Sequence, residues 1–206
     1  MQLTLPPGDF SGLIFDLDGT LIDSMPIHYR AWDAAMRKIG MEGSLDEEYF
    51  YELGGVHTRR VAELFALRYG LTVDPDYVTE VKEAMYLELL KEVQIIEPVA
   101  EIARQAAGSR PIAIVTGGTP DVAYPSLEAT GLRSLFKIII TPLDVPPGRG
   151  KPAPDMFLLA AKQMGLRPES CLVFEDAEPG IVGAQAAGMA YVRVPSRYPR
   201  RNRQGA

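Results

Sequence analysis

Two aspartates carry the first sign of chemistry in this chain. They lie in Phe15-Asp16-Leu17-Asp18-Gly19-Thr20-Leu21-Ile22-Asp23-Ser24, directly after the apolar run Leu13-Ile14-Phe15. Residues i and i+2 of a strand project to the same side. Asp16 and Asp18 can therefore face one site at the end of a buried strand, with a turn glycine and hydroxyl residues following. Two carboxylates converging in this way suit a magnesium ion and a phosphoryl group, one acid as nucleophile and the other as acid/base. A single pair of this kind also occurs in solvated turns, so the reading depends on partners further along the chain.

Three later segments supply them. Val115-Thr116-Gly117-Gly118-Thr119 reads as a strand ending in a hydroxyl and a glycine pair before a helix. Such a turn offers backbone N–H groups and a hydroxyl to an anion. In Gly150-Lys151-Pro152-Ala153-Pro154-Asp155 the neighbouring prolines would hold a lysine near phosphate and nucleophile, although alone it reads as a surface lysine before a helix. Phe174-Glu175-Asp176-Ala177-Glu178-Pro179-Gly180-Ile181 sets two acids at the end of another buried strand. Mg²⁺ is held by few protein carboxylates plus water and phosphate oxygens. All-oxygen donors admit Mn²⁺ or Ca²⁺ as well and argue against zinc.

These residues need a scaffold that brings distant strand ends together. Short apolar runs recur at 13–15, 112–115, 136–140, 172–174 and 191–194, rich in Ile and Val, as in buried strands. Helical patterns lie between them at about 99–107, 122–130, 154–164 and 179–187, followed by Gly108, Gly131, Gly165 and Gly188 where C-caps favour glycine. This alternation predicts an α/β fold, a doubly wound parallel sheet whose ligands bind beyond the carboxyl ends of the strands. Asp16, Thr116 and Glu175 would all fall there.

The stretch 24–90 breaks the alternation. Helical spacing appears at Ile27, Ala31, Ala35 and Ile39, at Val61, Leu64, Phe65 and Tyr69, and at Tyr77, Val81, Met85 and Leu89. We read 1–23 with 91–206 as the core domain and 24–90 as a helical cap inserted after the first strand. Leaving from the strand that carries the aspartates, the cap is expected over the site mouth as a lid. A packed subdomain remote from the chemistry is the competing reading.

Composition sets outer limits. With 206 residues, 47% apolar and 23% charged, the chain suits a core domain with a modest insert. A net charge of −6 argues against a nucleic-acid footprint. The basic run 197–203 reads as a solvated C-terminus. The single cysteine, Cys171, excludes an intrachain disulfide and reads as a small core residue. No signal peptide or bilayer-spanning run is visible. The expected setting is cytoplasmic, with a monomer, no membrane or nucleic-acid partner, and a small phosphate ester as ligand.

In this order the four segments resemble the motifs of the haloacid dehalogenase superfamily of phosphohydrolases and phosphomutases, from about residue 11 to 194. The insert resembles the β-phosphoglucomutase-like branch, as does the run from Lys151-Pro152-Ala153-Pro154-Asp155-Met156-Phe157 through Phe174-Glu175-Asp176 to Gly188-Met189. That branch includes small bacterial phosphatases acting on fructose 1-phosphate. The resemblance implies a Rossmann-like core. It makes Asp16 the nucleophile that forms an aspartyl-phosphate, and Asp18 the acid for the leaving alkoxide, then the base for water. Thr116 and the Gly117 amide would hold phosphoryl oxygens, and Lys151 would neutralise the nucleophile–phosphate pair. Mg²⁺ would sit on Asp16, the Asp18 carbonyl, Glu175 and Asp176.

The resemblance also marks the insert. His28 stands where this branch often has a histidine, steadying Asp18 or contacting substrate; a structural histidine is the equal alternative. Trp32, four residues on, is expected to pack. Leu53-Gly54-Gly55-Val56-His57-Thr58-Arg59-Arg60 resembles the specificity loop, with Gly55, Thr58, His57 and Arg59 as candidates for sugar hydroxyls and the two arginines otherwise a solvated helix start. Glu178 reads as helix-start charge. Where the mutases tend to carry lysine and arginine for a second phosphate, this chain has Gly54 and Thr58. Gly117-Gly118-Thr119-Pro120 replaces a serine, alanine and lysine pattern. Hydrolysis is thus expected over phosphoryl shuttling, and Asp18 argues against dehalogenation. A phosphomutase is the alternative. A non-catalytic phosphate binder would predict a broken motif, and none is broken.

Overall fold

The strands of the main sheet are short and mostly apolar because helices cover the sheet on both faces, with Glu175 and exposed Arg193, each at the end of its strand, as the charged positions. The computed structural model describes residues 3–196, so the basic run 197–203 lies outside the described residues. Its strands are β1 (Gly12–Phe15), β2 (Ile22–Asp23), β3 (Gln94–Ile95), β4 (Ile112–Val115), β5 (Ile138–Ile140), β6 (Cys171–Glu175) and β7 (Ala190–Arg193). The helices are α1 (Met25–Lys38), α2 (Glu47–Glu52), α3 (Thr58–Arg68), α4 (Pro75–Glu88), α5 (Glu97–Ala107), α6 (Pro120–Ala129), α7 (Asp155–Met164) and α8 (Glu178–Ala186).

Five strands form one parallel sheet in the order β5-β4-β1-β6-β7. The order places β1 at the centre, between β4 and β6. In register, Phe15 pairs with Ile114 on one side and Phe174 on the other. Asp16 therefore emerges level with Glu175, and its N–H donates to the Phe174 carbonyl at 2.9 Å. Side chains alternate between two cores. Leu13, Phe15, Ile114 and Phe174 pack with α5 and α6, whereas Ile14, Val115 and Val173 pack with α7 and α8. Phe15 and Phe174 stack at 4.8 Å between ring centroids.

The structure adjusts several local expectations. β5 starts at Ile138, because Phe136 ends a 3-10 turn over Arg133–Leu135 and is buried as a core residue. Gly131, Gly165 and Gly188 adopt positive φ after their helices, but Gly108 ends α5 at φ −89° and does not. Cys171 is buried, and burial pushes its thiol up to about 11.

The chain divides into two compact units, one formed by the chain up to Ser24 with Val93–Pro195, the other by Met25–Glu92. The two connections are tied within the first unit by the antiparallel pair β2–β3, where Ile22 faces Ile95. The second unit has its own core around Trp32, Met36, Phe50, Val61, Phe65 and Val78. Trp32 is buried and meets the Phe65 ring edge-on at 5.2 Å. On α4 the buried residues are Val78, Val81, Lys82 and Tyr86, so Val81 is buried as expected, whereas Tyr77 is exposed and Met85 and Leu89 are half-buried. A short helix, α2, was not anticipated; Asp46 caps it by accepting from the Tyr49 N–H at 3.0 Å.

Candidate active site

The carboxyl ends of β1 and β6 and the loop before α7 meet at one lysine. Lys151 Nζ donates to Asp16 Oδ1 at 2.7 Å and to Glu175 Oε2 at 2.7 Å. All three side chains are almost fully buried, at 9%, 8% and 1% exposure. Glu175 Oε1 accepts from the Ala177 N–H at 3.0 Å. Both oxygens of Glu175 are thus engaged by the protein, which fixes the carboxylate that in turn fixes Lys151. Gly180 of α8 makes room for it, since a Cβ there would lie 2.1 Å from Glu175 Cδ.

Asp18 sits in the turn after β1. Its Oδ1 accepts from the Ser24 hydroxyl at 2.6 Å, and Ser24 is fully buried. The turn requires Gly19, which has φ +86° and whose missing Cβ would lie 2.7 Å from Asp176 Oδ2. That close approach places Asp176 directly against the aspartate turn. Thr116 follows β4, and its Oγ1 accepts from the Gly118 N–H at 3.0 Å, which leaves its proton to donate elsewhere. A Cβ on Gly118 would lie 3.4 Å from Thr116 Oγ1 and 3.8 Å from Asp18 Oδ2, so these groups share one corner. Around Gly117 a Cβ would meet nothing within 4 Å, so its backbone borders open space. The structure therefore brings Asp16, Asp18, Thr116, Gly117, Lys151, Glu175 and Asp176 to the same end of the sheet.

Burial governs the electrostatics. It pushes the Glu175 carboxyl up to about 8, with the nearby Asp16 charge adding to the rise and Lys151 opposing it. Asp16 is raised for the same reason, offset in part by Lys151. For Lys151, burial would favour the neutral amine, but the two carboxylates outweigh it and hold the ammonium charged.

This donor set fits a divalent cation. One carboxylate oxygen from each of Asp16, Glu175 and Asp176 lies within 4.8 Å of the others, and all three residues are buried. One lysine cannot neutralise three buried carboxylates, and hard oxygen donors of this kind are those of Mg²⁺-type ions.

His28, Gly55, Thr58 and Arg59 belong to the second unit, whereas Glu178 belongs to the first. His28, on α1, stacks on Tyr86 with ring centroids 4.1 Å apart. Gly55 is exposed in the turn before α3, at φ +84°, and Thr58 begins that helix. Arg59 is held by two carboxylates, with Nε donating to Asp76 Oδ1 at 2.8 Å and a terminal nitrogen to Glu63. Glu178 begins α8 and accepts from Arg193 at 2.6 Å. Ser24 and Gly180 are contributors that sequence reasoning missed. Ser24 ends the first motif, but six positions from Asp18 is no periodic spacing, so only the folded turn shows the contact.

A parallel α/β core with a lysine-bridged acidic cluster at its central strand ends defines a class of hydrolase. Residues 10–188 match the haloacid dehalogenase-like hydrolase family, and the chain belongs to it. It is 37% identical over 186 residues to the fructose-1-phosphate phosphatase YqaB of Escherichia coli (strain K12), covering 90% of this chain and 96% of that protein. It is 33% identical over 198 residues to hexitol phosphatase A of the same organism, covering 93% of this chain and 87% of that protein. The fold is also that of the solved CbbY from Rhodobacter sphaeroides, determined with phosphate, at TM-score 0.81 and 23% identity, over 94% of this chain and 89% of that one.

Proposed function

We propose that this protein is a Mg²⁺-dependent phosphatase that hydrolyses small sugar phosphates through an aspartyl-phosphate. The observation that carries the reading is Lys151 held between Asp16 and Glu175, beside Asp176, at the ends of β1 and β6. In the first half-reaction an Asp16 carboxylate oxygen attacks phosphorus, the ester oxygen leaves, and Asp18 gives it a proton. In the second, Asp18 takes a proton from water as that water attacks phosphorus and releases Asp16. The Thr116 hydroxyl and the Gly117 N–H hold phosphoryl oxygens, and Lys151 offsets charge on the nucleophile and the transferring group. Asp16 and Asp176, with the Asp18 carbonyl and Glu175, would hold Mg²⁺, which supplies further neutralisation of the phosphoryl oxygens.

The sugar-phosphate class is supported by the two Escherichia coli relatives, whose names give fructose 1-phosphate and hexitol phosphates as substrates. Hydrolysis is favoured over phosphoryl shuttling by the second unit. Gly54 and Thr58 are neutral, and Arg59, the cation beside them, is already paired with Asp76 and Glu63. Selection of the sugar is assigned to that unit, with His28, Gly55, Thr58 and Arg59 as its candidate contacts.

Phosphorus NMR of the purified protein with Mg²⁺ tests the proposal. Fructose 1-phosphate should yield free phosphate, and EDTA should stop it. β-Glucose 1-phosphate primed with glucose 1,6-bisphosphate separates the mutase. Glucose 6-phosphate formed without free phosphate would overturn the phosphatase reading.

A further inference from the structure

We infer that Arg149 and Asp155 form a clamp that positions the Lys151 ammonium in the phosphoryl site, an inference that rests on the reading of that site above. The two residues bracket the segment 150–154, which carries Lys151. Arg149 Nε donates to Asp155 Oδ1 at 2.8 Å, and the Arg149 NH2 nitrogen lies 2.8 Å from Oδ2. The second contact is Coulombic, because Asp155 Oδ2 is buried and accepts no aligned hydrogen bond from the described residues. Arg149 thus supplies the charge that faces a buried carboxylate oxygen.

The surrounding backbone explains why this pair matters. Asp155 is the first residue of α7, and Pro154 at the cap position contributes no side-chain hydrogen bond to the helix start. Asp155 is turned toward Arg149 instead. Inside the bracket, the Ala153 N–H donates to the Gly150 carbonyl at 2.9 Å, closing a turn around Lys151. The clamp fixes both ends of that turn, and the turn sets where the long lysine side chain starts toward Asp16 and Glu175. Catalytic groups need placement to within about 0.5 Å. The Arg149 side chain is 55% exposed, so the pair adds little to global stability, as exposed pairs generally do. Its effect is expected on turnover. Arg149 is a positioning residue, since it touches no reacting atom.

The test uses the full chain with Arg149→Gln, Asp155→Asn, both together, and Arg149→Lys. Kinetics with fructose 1-phosphate and Mg²⁺ are read beside hydrogen exchange of the peptide covering 149–157. Arg149→Gln should lower kcat about tenfold with KM within about twofold. Exchange should quicken in that peptide and not in the sheet. The double variant should be no worse than either single one, and Arg149→Lys should not restore turnover, because lysine lacks the planar fork. Unchanged kcat and exchange in Arg149→Gln would overturn the clamp. So would losses that multiply in the double variant, or faster exchange throughout the core. If the unmodified protein releases no phosphate, the phosphatase reading falls and exchange of 149–157 alone decides the clamp.

Discussion

Lys151 Nζ donates to Asp16 Oδ1 at 2.7 Å across 135 positions of sequence. The same nitrogen reaches Glu175, so one cation compensates two buried carboxylates. Lys151→Met would leave both without it. Breaking such a pair from one side destabilises by about 3 kcal/mol. The loss should be larger at about pH 8 than at about pH 5, where the acids can take up protons instead. Urea unfolding in EDTA at the two pH values measures this, and equal losses would contradict it.

The unmodified protein should show a related pH dependence when stripped of metal. Glu175 is pushed from an ordinary 4.5 up to about 8. Between those values the folded chain binds more protons than the unfolded one, so stability falls as pH rises through that window and levels off above it. Melting temperature in EDTA should therefore drop from about pH 5 to about pH 8. Mg²⁺ added at the upper end should recover it by binding the native cluster. A melting temperature that climbs over this range would contradict the burial of these acids.

Gly180→Ala tests the seat of Glu175. The added Cβ would lie 2.1 Å from Glu175 Cδ, too close to be absorbed without moving that carboxylate. A stability loss of about 1–3 kcal/mol is expected, together with weaker Mg²⁺ dependence of turnover. Mg²⁺ titrations of activity beside denaturant midpoints read both effects. An unchanged titration would mean that Glu175 tolerates displacement.

Ser24→Ala tests how Asp18 is held. Loss of the 2.6 Å hydrogen bond to Asp18 Oδ1 should lower kcat by about three- to tenfold with little change in KM. Steady-state kinetics check it, and a change confined to KM would place Ser24 in substrate binding instead.

Much of the site was legible because its residues follow directly on apolar strand runs, although Asp18 lies in the turn beyond β1 and not on the strand itself. Asp16 follows β1 and Glu175 ends β6, so the parallel pairing of these strands brings the two near, while the turn at Gly19 places Asp18 and Asp176. The pair β2–β3 was not legible, because two residues per strand carry no pattern. On α4, exposed Tyr77 and buried Lys82 invert the usual preferences of their side chains, which is why only Val81 of the expected face is buried. The contacts of Ser24 and Arg149 depend on loop geometry that no spacing encodes. The fully positioned lysine is likewise a product of the fold: in sequence it is only a lysine between a glycine and a proline.

The covalent role of Asp16 is the claim on which the rest depends. Rapid acid quench of the enzyme turning over fructose 1-phosphate with Mg²⁺, followed by peptide mass spectrometry, tests it most directly. The account predicts a phosphoryl adduct on the peptide carrying Asp16, and no adduct or phosphate release from a folded Asp16→Asn variant. Phosphate release that persists in Asp16→Asn, with no adduct in the unmodified enzyme, would contradict it.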